Sequence, residues 1–150
     1  MALFYLDTSA LVKLYVREPG TERMLRLASR EHNHRLAILT IAEIELRSAI
    51  RRRERSTDLD ATSANQILRN FESHLETRLL RQPLTESVLD TAKALLDGHP
   101  LRAYDAIQLA GCLVLRAAAG MDQPVFVCAD RDLLATAGFL KLSVLDPASP

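Results

Sequence analysis

Short apolar runs alternate with stretches of helical periodicity along the whole chain. The runs have the length of buried strands and lie at Leu3–Leu6, Leu36–Leu39, Leu79–Leu80, Val125–Cys128 and Leu142–Leu145. Between them, apolar residues recur every three or four positions, which predicts amphipathic helices. This alternation is typical of an α/β fold with a parallel sheet between helices. No internal repeat, linker or low-complexity segment interrupts the pattern, so we expect residues 1–150 to form a single domain.

Local signals predict where several helices begin and end. A first helix is expected from about Ser9 to Val16, and Pro19-Gly20 stops it. Thr40 and Glu43 match a capping box at the start of a helix that continues into a run of arginines. The segment Leu101–Ala119 is apolar on nearly every side, which predicts a buried helix.

Composition and charge narrow the class of protein. The 19 basic and 19 acidic residues balance, which excludes a strongly cationic coat for nucleic acid but not a local basic patch. Cys112 and Cys128 lie in apolar runs without zinc-like spacing, so two buried thiols are expected. The N-terminal apolar run is interrupted by Asp7 and Lys13 and is too short for a signal sequence or a membrane span. We therefore expect a cytoplasmic protein without membrane contact.

Four acidic residues share a position in the pattern. Asp7 and Asp130 follow strand ends, Glu43 lies in the first turn of the helix after a strand, and Asp105 lies early in an apolar helix. Each has a purely structural alternative. Asp7 and Asp130 suit helix N-caps, Glu43 suits the capping box or an ion pair with Arg47, and Asp105 suits a salt bridge. Ligands bind at the carboxyl ends of parallel strands, so these acids together predict a site there.

Clustered carboxylates repel one another, and such sites usually recruit cations. Oxygen-only ligands suit Mg²⁺ or Mn²⁺, and the histidines lie elsewhere in the pattern. A pair of such cations is a known device for phosphodiester hydrolysis. A haloacid-dehalogenase phosphatase is excluded because Ser9 stands where its second acid would be. A response-regulator receiver is excluded because it would need paired acids after the first strand.

The motifs that carry these acids resemble the PIN-domain ribonucleases, and most of all the VapC toxins of toxin–antitoxin operons. The matching segments are Leu6–Leu11, Ile41–Ile44, Tyr104–Ala110, Ala129–Leu134 and Leu142–Pro147. The resemblance implies a PIN-like three-layer fold with a central five-stranded parallel sheet flanked by helices. It also implies Mg²⁺- or Mn²⁺-dependent cleavage of RNA and inhibition by a cognate antitoxin protein.

The resemblance also assigns roles to residues. The family's acids map onto Asp7, Glu43, Asp105 and Asp130, with Asp7, Asp105 and Asp130 as metal ligands. The Ser9 hydroxyl would support the pocket beside Asp7. Asp132 is either a helper of Asp130 or an ordinary first-turn acid.

Two features depart from this mapping or lie outside it. Cys128 stands where such chains often carry Ser or Thr, and a thiol is a weaker hydrogen-bonding group. Glu45 is nearly opposite Glu43 on the same helix, so we expect it on the surface.

RNA must also be held by its phosphates. Arg51, Arg52 and their neighbours form the only dense basic cluster, which suits a solvated helix end, an RNA contact or an antitoxin contact. Arg102, one turn before Asp105, is better placed to meet substrate or antitoxin. Aromatic residues for base stacking are scarce, which favours recognition of RNA shape and backbone.

A homodimer is expected from the resemblance, or a hetero-oligomer with the antitoxin, and the helices from Thr21 to Arg30 and from Thr40 to Ile50 are candidate surfaces. The alternative to an enzyme is a non-catalytic binding module of the same fold that contacts RNA or a partner protein.

Overall fold

The computed structural model describes all 150 residues. Its centre is a five-stranded, wholly parallel sheet in the order β3-β2-β1-β4-β5. The strands are β1 (Leu3–Leu6), β2 (Arg35–Leu39), β3 (Leu79–Gln82), β4 (Pro124–Val127) and β5 (Ser143–Leu145). The predicted central sheet of five parallel strands is confirmed.

Seven α-helices cover the sheet. They are α1 (Thr8–Val12), α2 (Thr21–Ala28), α3 (Ile41–Arg55), α4 (Ala61–Thr77), α5 (Glu86–Gly98), α6 (Ala103–Ala118) and α7 (Arg131–Phe139). A short 3-10 turn spans Arg30–His32. None of these helices is both long enough and apolar enough to cross a lipid bilayer.

Alternate strand residues supply two separate cores, because successive side chains of a strand point to opposite faces. Phe4 and Leu6 of β1 pack with α3 and α4, whereas Leu3 and Tyr5 pack with α5, α6 and α7. Both faces are therefore apolar, which explains why β1 is a continuous hydrophobic run. The two thiols, Cys112 and Cys128, are buried and unpaired, as expected.

Three local predictions were wrong. Helix α1 ends at Val12, and the chain continues in turns to Val16. The capping box at α3 does not form, because the Thr40 hydroxyl accepts a hydrogen bond from the Leu84 amide instead (3.2 Å). Helix α6 is not buried all round, since its first turn and its last turn are exposed.

Candidate active site

The order of the strands places the site where consecutive connections along the chain switch from one side of β1 to the other. Strands β1, β2 and β3 extend the sheet to one side, and β4 and β5 extend it to the other. In parallel sheets, ligands bind at such a switch point, beyond the carboxyl ends of the two central strands. Asp7 follows β1 and Asp130 lies three residues after β4, so both acids lie beside this crevice.

Asp7 is a buried carboxylate with only 6% of its surface exposed. Its Oδ1 accepts hydrogen bonds from the Ser9 hydroxyl (2.6 Å) and from the Ala10 amide (3.0 Å), so Asp7 itself caps α1. Burial raises the pKa of Asp7 above its ordinary value, although these hydrogen bonds lower it, and the nearby Glu45 charge raises it further. Burial thus disfavours the charged form of this carboxyl group.

Glu45 belongs to this group, contrary to the prediction that it lies on the surface. Its Oε1 accepts hydrogen bonds from the Thr8 hydroxyl (2.9 Å) and from Gln108 Nε2 (3.0 Å). Gln108 Oε1 in turn accepts the hydroxyl of the fully buried Tyr5 (3.0 Å). This Tyr5–Gln108–Glu45 chain fixes the carboxylate from the core side. Glu45 Oε2 makes no hydrogen bond within the chain.

Glu43, the acid that the resemblance selected, lies outside this group. Its two oxygens accept hydrogen bonds from Arg81 Nε and Nη2, both at 3.0 Å, in a bidentate pair with β3. The two glutamates are two residues apart, which separates their directions by roughly 200° around a helix. Helix α3 therefore presents Glu45, and not Glu43, to the Asp7 carboxyl at the end of β1.

Arg102 joins the other two acids. Its Nε lies 3.2 Å from Asp105 Oδ2, and its Nη2 lies 3.7 Å from Asp130 Oδ2. The Arg102 side chain is 80% exposed, so the guanidinium can leave at small cost. Asp130 Oδ1 caps α7 through the amides of Asp132 and Leu133. Asp130 thus caps α7 with one oxygen, and its other oxygen faces the same guanidinium group as Asp105.

Ser9 connects the ends of β1 and β4. Its hydroxyl donates to Asp7 and accepts the Ala129 amide (3.1 Å), so it holds the two strand ends together. Cys128 makes a weaker contact in the same region. Its Sγ accepts a hydrogen bond from the Asp130 amide at 3.3 Å, and sulfur is a weak acceptor. Asp132 is exposed on α7 and its carboxylate makes no hydrogen bond or ion pair, so only its amide contributes here.

A pocket of about 590 Å³ opens between α3 and the start of α6. Its polar wall includes Thr8, Glu45, Asp105, Arg52 and Arg102. Only one member of the predicted arginine pair lines it. Arg52 is exposed and forms no ion pair, whereas Arg51 is paired with Glu54 at 2.8 Å.

The four acidic side chains of this region suit a hard divalent cation, because carboxylate oxygens are the ligands that Mg²⁺ and Mn²⁺ prefer. The proximity of Glu45 to the buried Asp7 is a second reason, since a bound cation would stabilise the charged forms of two neighbouring carboxyl groups. Yet no three His, Cys, Asp or Glu side chains lie close enough together to hold a metal ion as they stand. The acids form two groups, Asp7 with Glu45 and Asp105 with Asp130, and Arg102 neutralises the second.

Sequence reasoning missed Glu45, Gln108 and Tyr5. One signal was present: Gln108, like Asp105, is a polar residue within an apolar helix, and such a buried group requires a partner. The partner of Gln108 is Glu45, which identifies the side of α3 that faces the site.

Comparison with known proteins places the chain in a family. A family model described as PIN domain matches residues 4–138. The chain therefore belongs to the PIN-domain family, as the sequence motifs predicted. It is 38% identical over 110 residues to Ribonuclease VapC46 of Mycobacterium tuberculosis, and the match covers 73% of this chain and 74% of that protein.

Solved structures show the same architecture. A toxin–antitoxin complex from Klebsiella pneumoniae contains a chain with a TM-score of 0.63 and 18% identity, with 98% of each chain covered. VapBC2 from Rickettsia felis, bound to a DNA fragment from its promoter, contains one with a TM-score of 0.61 and 15% identity. That match covers 95% of this chain and 97% of the other. At these identities the likeness establishes the fold.

Proposed function

We propose that this PIN domain is a divalent-metal-dependent endoribonuclease and acts as the toxin of a toxin–antitoxin pair. The observation that carries the proposal is the pocket at the end of the sheet, where Glu45 and Asp105 share a wall with the arginines Arg52 and Arg102. Carboxylates attract the cations, and guanidinium groups hold phosphates. The relationship to Ribonuclease VapC46 supports RNA as the substrate.

The residues that would hold Mg²⁺ or Mn²⁺ are Asp7, Glu45, Asp105 and Asp130, so Glu45 replaces Glu43 in our assignment. A bound divalent cation lowers the pKa of water and stabilises the leaving oxygen of a phosphodiester. Occupancy would require Arg102 to leave Asp105 and Asp130.

The chain's own residues prepare this chemistry. Ser9 and the Ala10 amide fix one oxygen of Asp7, and Thr8 and Gln108 fix one oxygen of Glu45. Each carboxylate therefore keeps its orientation, which a rigid cation site requires. Once released from the acids, Arg102 is free to bind the phosphate that is being cleaved.

The test compares three matched variants on total RNA with Mg²⁺ or Mn²⁺ and no antitoxin. Asp7→Asn and Glu45→Gln should each lower the cleavage rate roughly 10- to 100-fold or more, as expected for lost metal ligands or their supports. Glu43→Gln, two residues away on the same helix, should cleave at close to the wild-type rate.

A loss in Glu43→Gln with an unaffected Glu45→Gln would reverse the assignment of the glutamate. Wild-type protein that cleaves no RNA with either metal would contradict the enzyme and favour the non-catalytic binding module. Melting temperatures of all variants show whether each one is folded.

The proposal includes a cognate antitoxin and a homodimer. Structural neighbours such as the Klebsiella pneumoniae complex are toxin–antitoxin assemblies, which supports the first. Co-expression with the adjacent reading frame should yield a complex that no longer cleaves RNA. Light scattering measures whether the free toxin is a dimer.

A further inference from the structure

Tyr104 is an exposed aromatic residue at the edge of the acidic pocket. It directly precedes Asp105 in the first turn of α6, lines the pocket, and leaves 63% of its surface exposed. Its hydroxyl makes no hydrogen bond, and its ring packs against no other aromatic side chain. Exposure of a large aromatic side chain gives up the free energy that its burial would provide. The ring therefore offers a free face beside the site.

No other aromatic residue has this position. Most of the others are in the core, namely Phe4, Tyr5, Phe71 and Phe126. Tyr15 packs edge-on against Phe71, with its hydroxyl 2.7 Å from His74 Nδ1. Phe139 is exposed, but it lies at the end of α7 against His99 and does not line the pocket.

The surroundings of Tyr104 match the parts of a nucleotide. Ile44, 72% exposed on α3, lines the same pocket and supplies a second apolar surface. Arg52 is exposed and unpaired there, so its charge is available to a phosphate. The volume of about 590 Å³ lies within the range of roughly 300–1,000 Å³ for small-ligand pockets.

We propose that Tyr104 is a stacking platform for one unpaired base of the RNA substrate, with Ile44 as the second apolar contact and Arg52 on the neighbouring phosphate. This inference rests on the proposed ribonuclease function and assigns to Tyr104 the contact with one unpaired nucleotide of the substrate. A base must leave its helical stack to lie on a protein ring, so duplex RNA is excluded from this contact.

The experiment measures binding, so that cleavage does not interfere. The probes are a short fluorescent RNA of mixed sequence without self-complementarity and the same RNA annealed to its complement. Both are titrated by fluorescence anisotropy in Mg²⁺ against Asp7→Asn protein that carries Tyr104→Ala, Tyr104→Phe or the control Phe139→Ala. Tyr104→Ala should weaken single-strand binding roughly 5- to 150-fold. Tyr104→Phe, which keeps the ring, and Phe139→Ala should stay close to the parent.

Several results would overturn the inference. One is equal affinity of Tyr104→Ala and the parent for the single strand, and another is an equal loss for single strand and duplex. A third is unchanged RNA binding with lost antitoxin binding, which would make Tyr104 a protein contact. A parent that binds no single-stranded RNA also refutes the platform. Wild-type cleavage of total RNA, measured separately, shows whether the proposed function stands in each case.

Discussion

Gly111 lies in the middle of α6, where the helix packs directly on Tyr5 of β1. A Cβ at this position would overlap the Tyr5 hydroxyl oxygen and would lie 3.2 Å from both Tyr5 Cζ and Leu39 Cδ1. The Tyr5 ring is fully buried and stacked on Phe126, with ring centroids 5.9 Å apart, so it has no room to rotate away. Gly111→Ala should therefore strain the core and displace the hydroxyl that supports Gln108.

The size of this effect follows from three terms. Overpacking of a core costs about 1–3 kcal/mol, and the lost Tyr5–Gln108 hydrogen bond adds about 0.5–1.5 kcal/mol. Alanine recovers about 1 kcal/mol because it is a better helix former than glycine. The net loss in the free energy of unfolding is therefore about 2 kcal/mol, which corresponds to a fall in Tm of roughly 4–8 °C for a chain of this size.

Thermal and urea unfolding measure this loss, and Gly138→Ala is the matched control. Gly138 also lies within a helix, but nothing lies within 4 Å of an added Cβ there. Gly138→Ala should therefore be neutral or stabilising by up to about 1 kcal/mol. In a Tyr5→Phe background the overlapping oxygen is absent, so Gly111→Ala should cost at least about 1 kcal/mol less than in the wild type.

Two results would refute this reasoning. One is an equal cost of Gly111→Ala in the wild-type and Tyr5→Phe backgrounds. The other is a Gly111→Ala variant that is as stable as Gly138→Ala.

Three further perturbations test other contacts. Burial raises the pKa of Asp7. Between the ordinary Asp pKa and this raised pKa, the folded state therefore keeps a proton that the unfolded state has released. In metal-free buffer, the free energy of unfolding should fall as pH rises through this interval. Asp7→Asn should remove that part of the slope in pH-dependent unfolding, and an unchanged slope would contradict this. Arg102→Ala should raise Mn²⁺ affinity about 1.5- to 5-fold in calorimetry, since it removes a competing cation, whereas Arg81→Ala should not. Glu18→Gln should cost roughly 1–3 kcal/mol in chemical denaturation, since it removes the negative charge that pairs with the buried Lys13 at 3.0 Å and with Arg53 at 2.7 Å; a loss below about 0.5 kcal/mol would refute this.

The strands and the approximate positions of three acids could be predicted because their signals are local. A strand covered on both faces is apolar throughout, so β1 and β4 stand out in the sequence, and an acid within three residues of each strand end is easily recognised. The buried residues of these two strands could therefore be predicted from the apolar runs alone. The end of α1 and the capping of α3 could not be predicted from local sequence, because each depends on contacts with remote segments.

The choice between Glu43 and Glu45 shows what local signals lack. Thr40 and Glu43 satisfy the capping-box pattern. In the structure, however, the Thr40 hydroxyl accepts a hydrogen bond from the Leu84 amide, and the Glu43 carboxylate accepts one from Arg81. Both competitors come from the segment around β3, some forty residues further along the chain. Tertiary partners thus override the local pattern, and our proposal of Glu45 rests on its contacts with Thr8 and Gln108, which the local pattern does not indicate.

The hydrogen bond between the Ser9 hydroxyl and the Ala129 amide has a consequence for the assembly of the site during protein synthesis. It joins residues 120 positions apart, and the Thr8–Gln108 bond joins residues 100 apart. During synthesis, the N-terminal part of the site therefore waits for nearly the entire chain to leave the ribosome. At about 5–20 residues per second, this delay is roughly 6–25 seconds. A nascent or truncated chain therefore lacks the assembled site, and the side chains at the end of β1 gain these partners only when translation is almost complete.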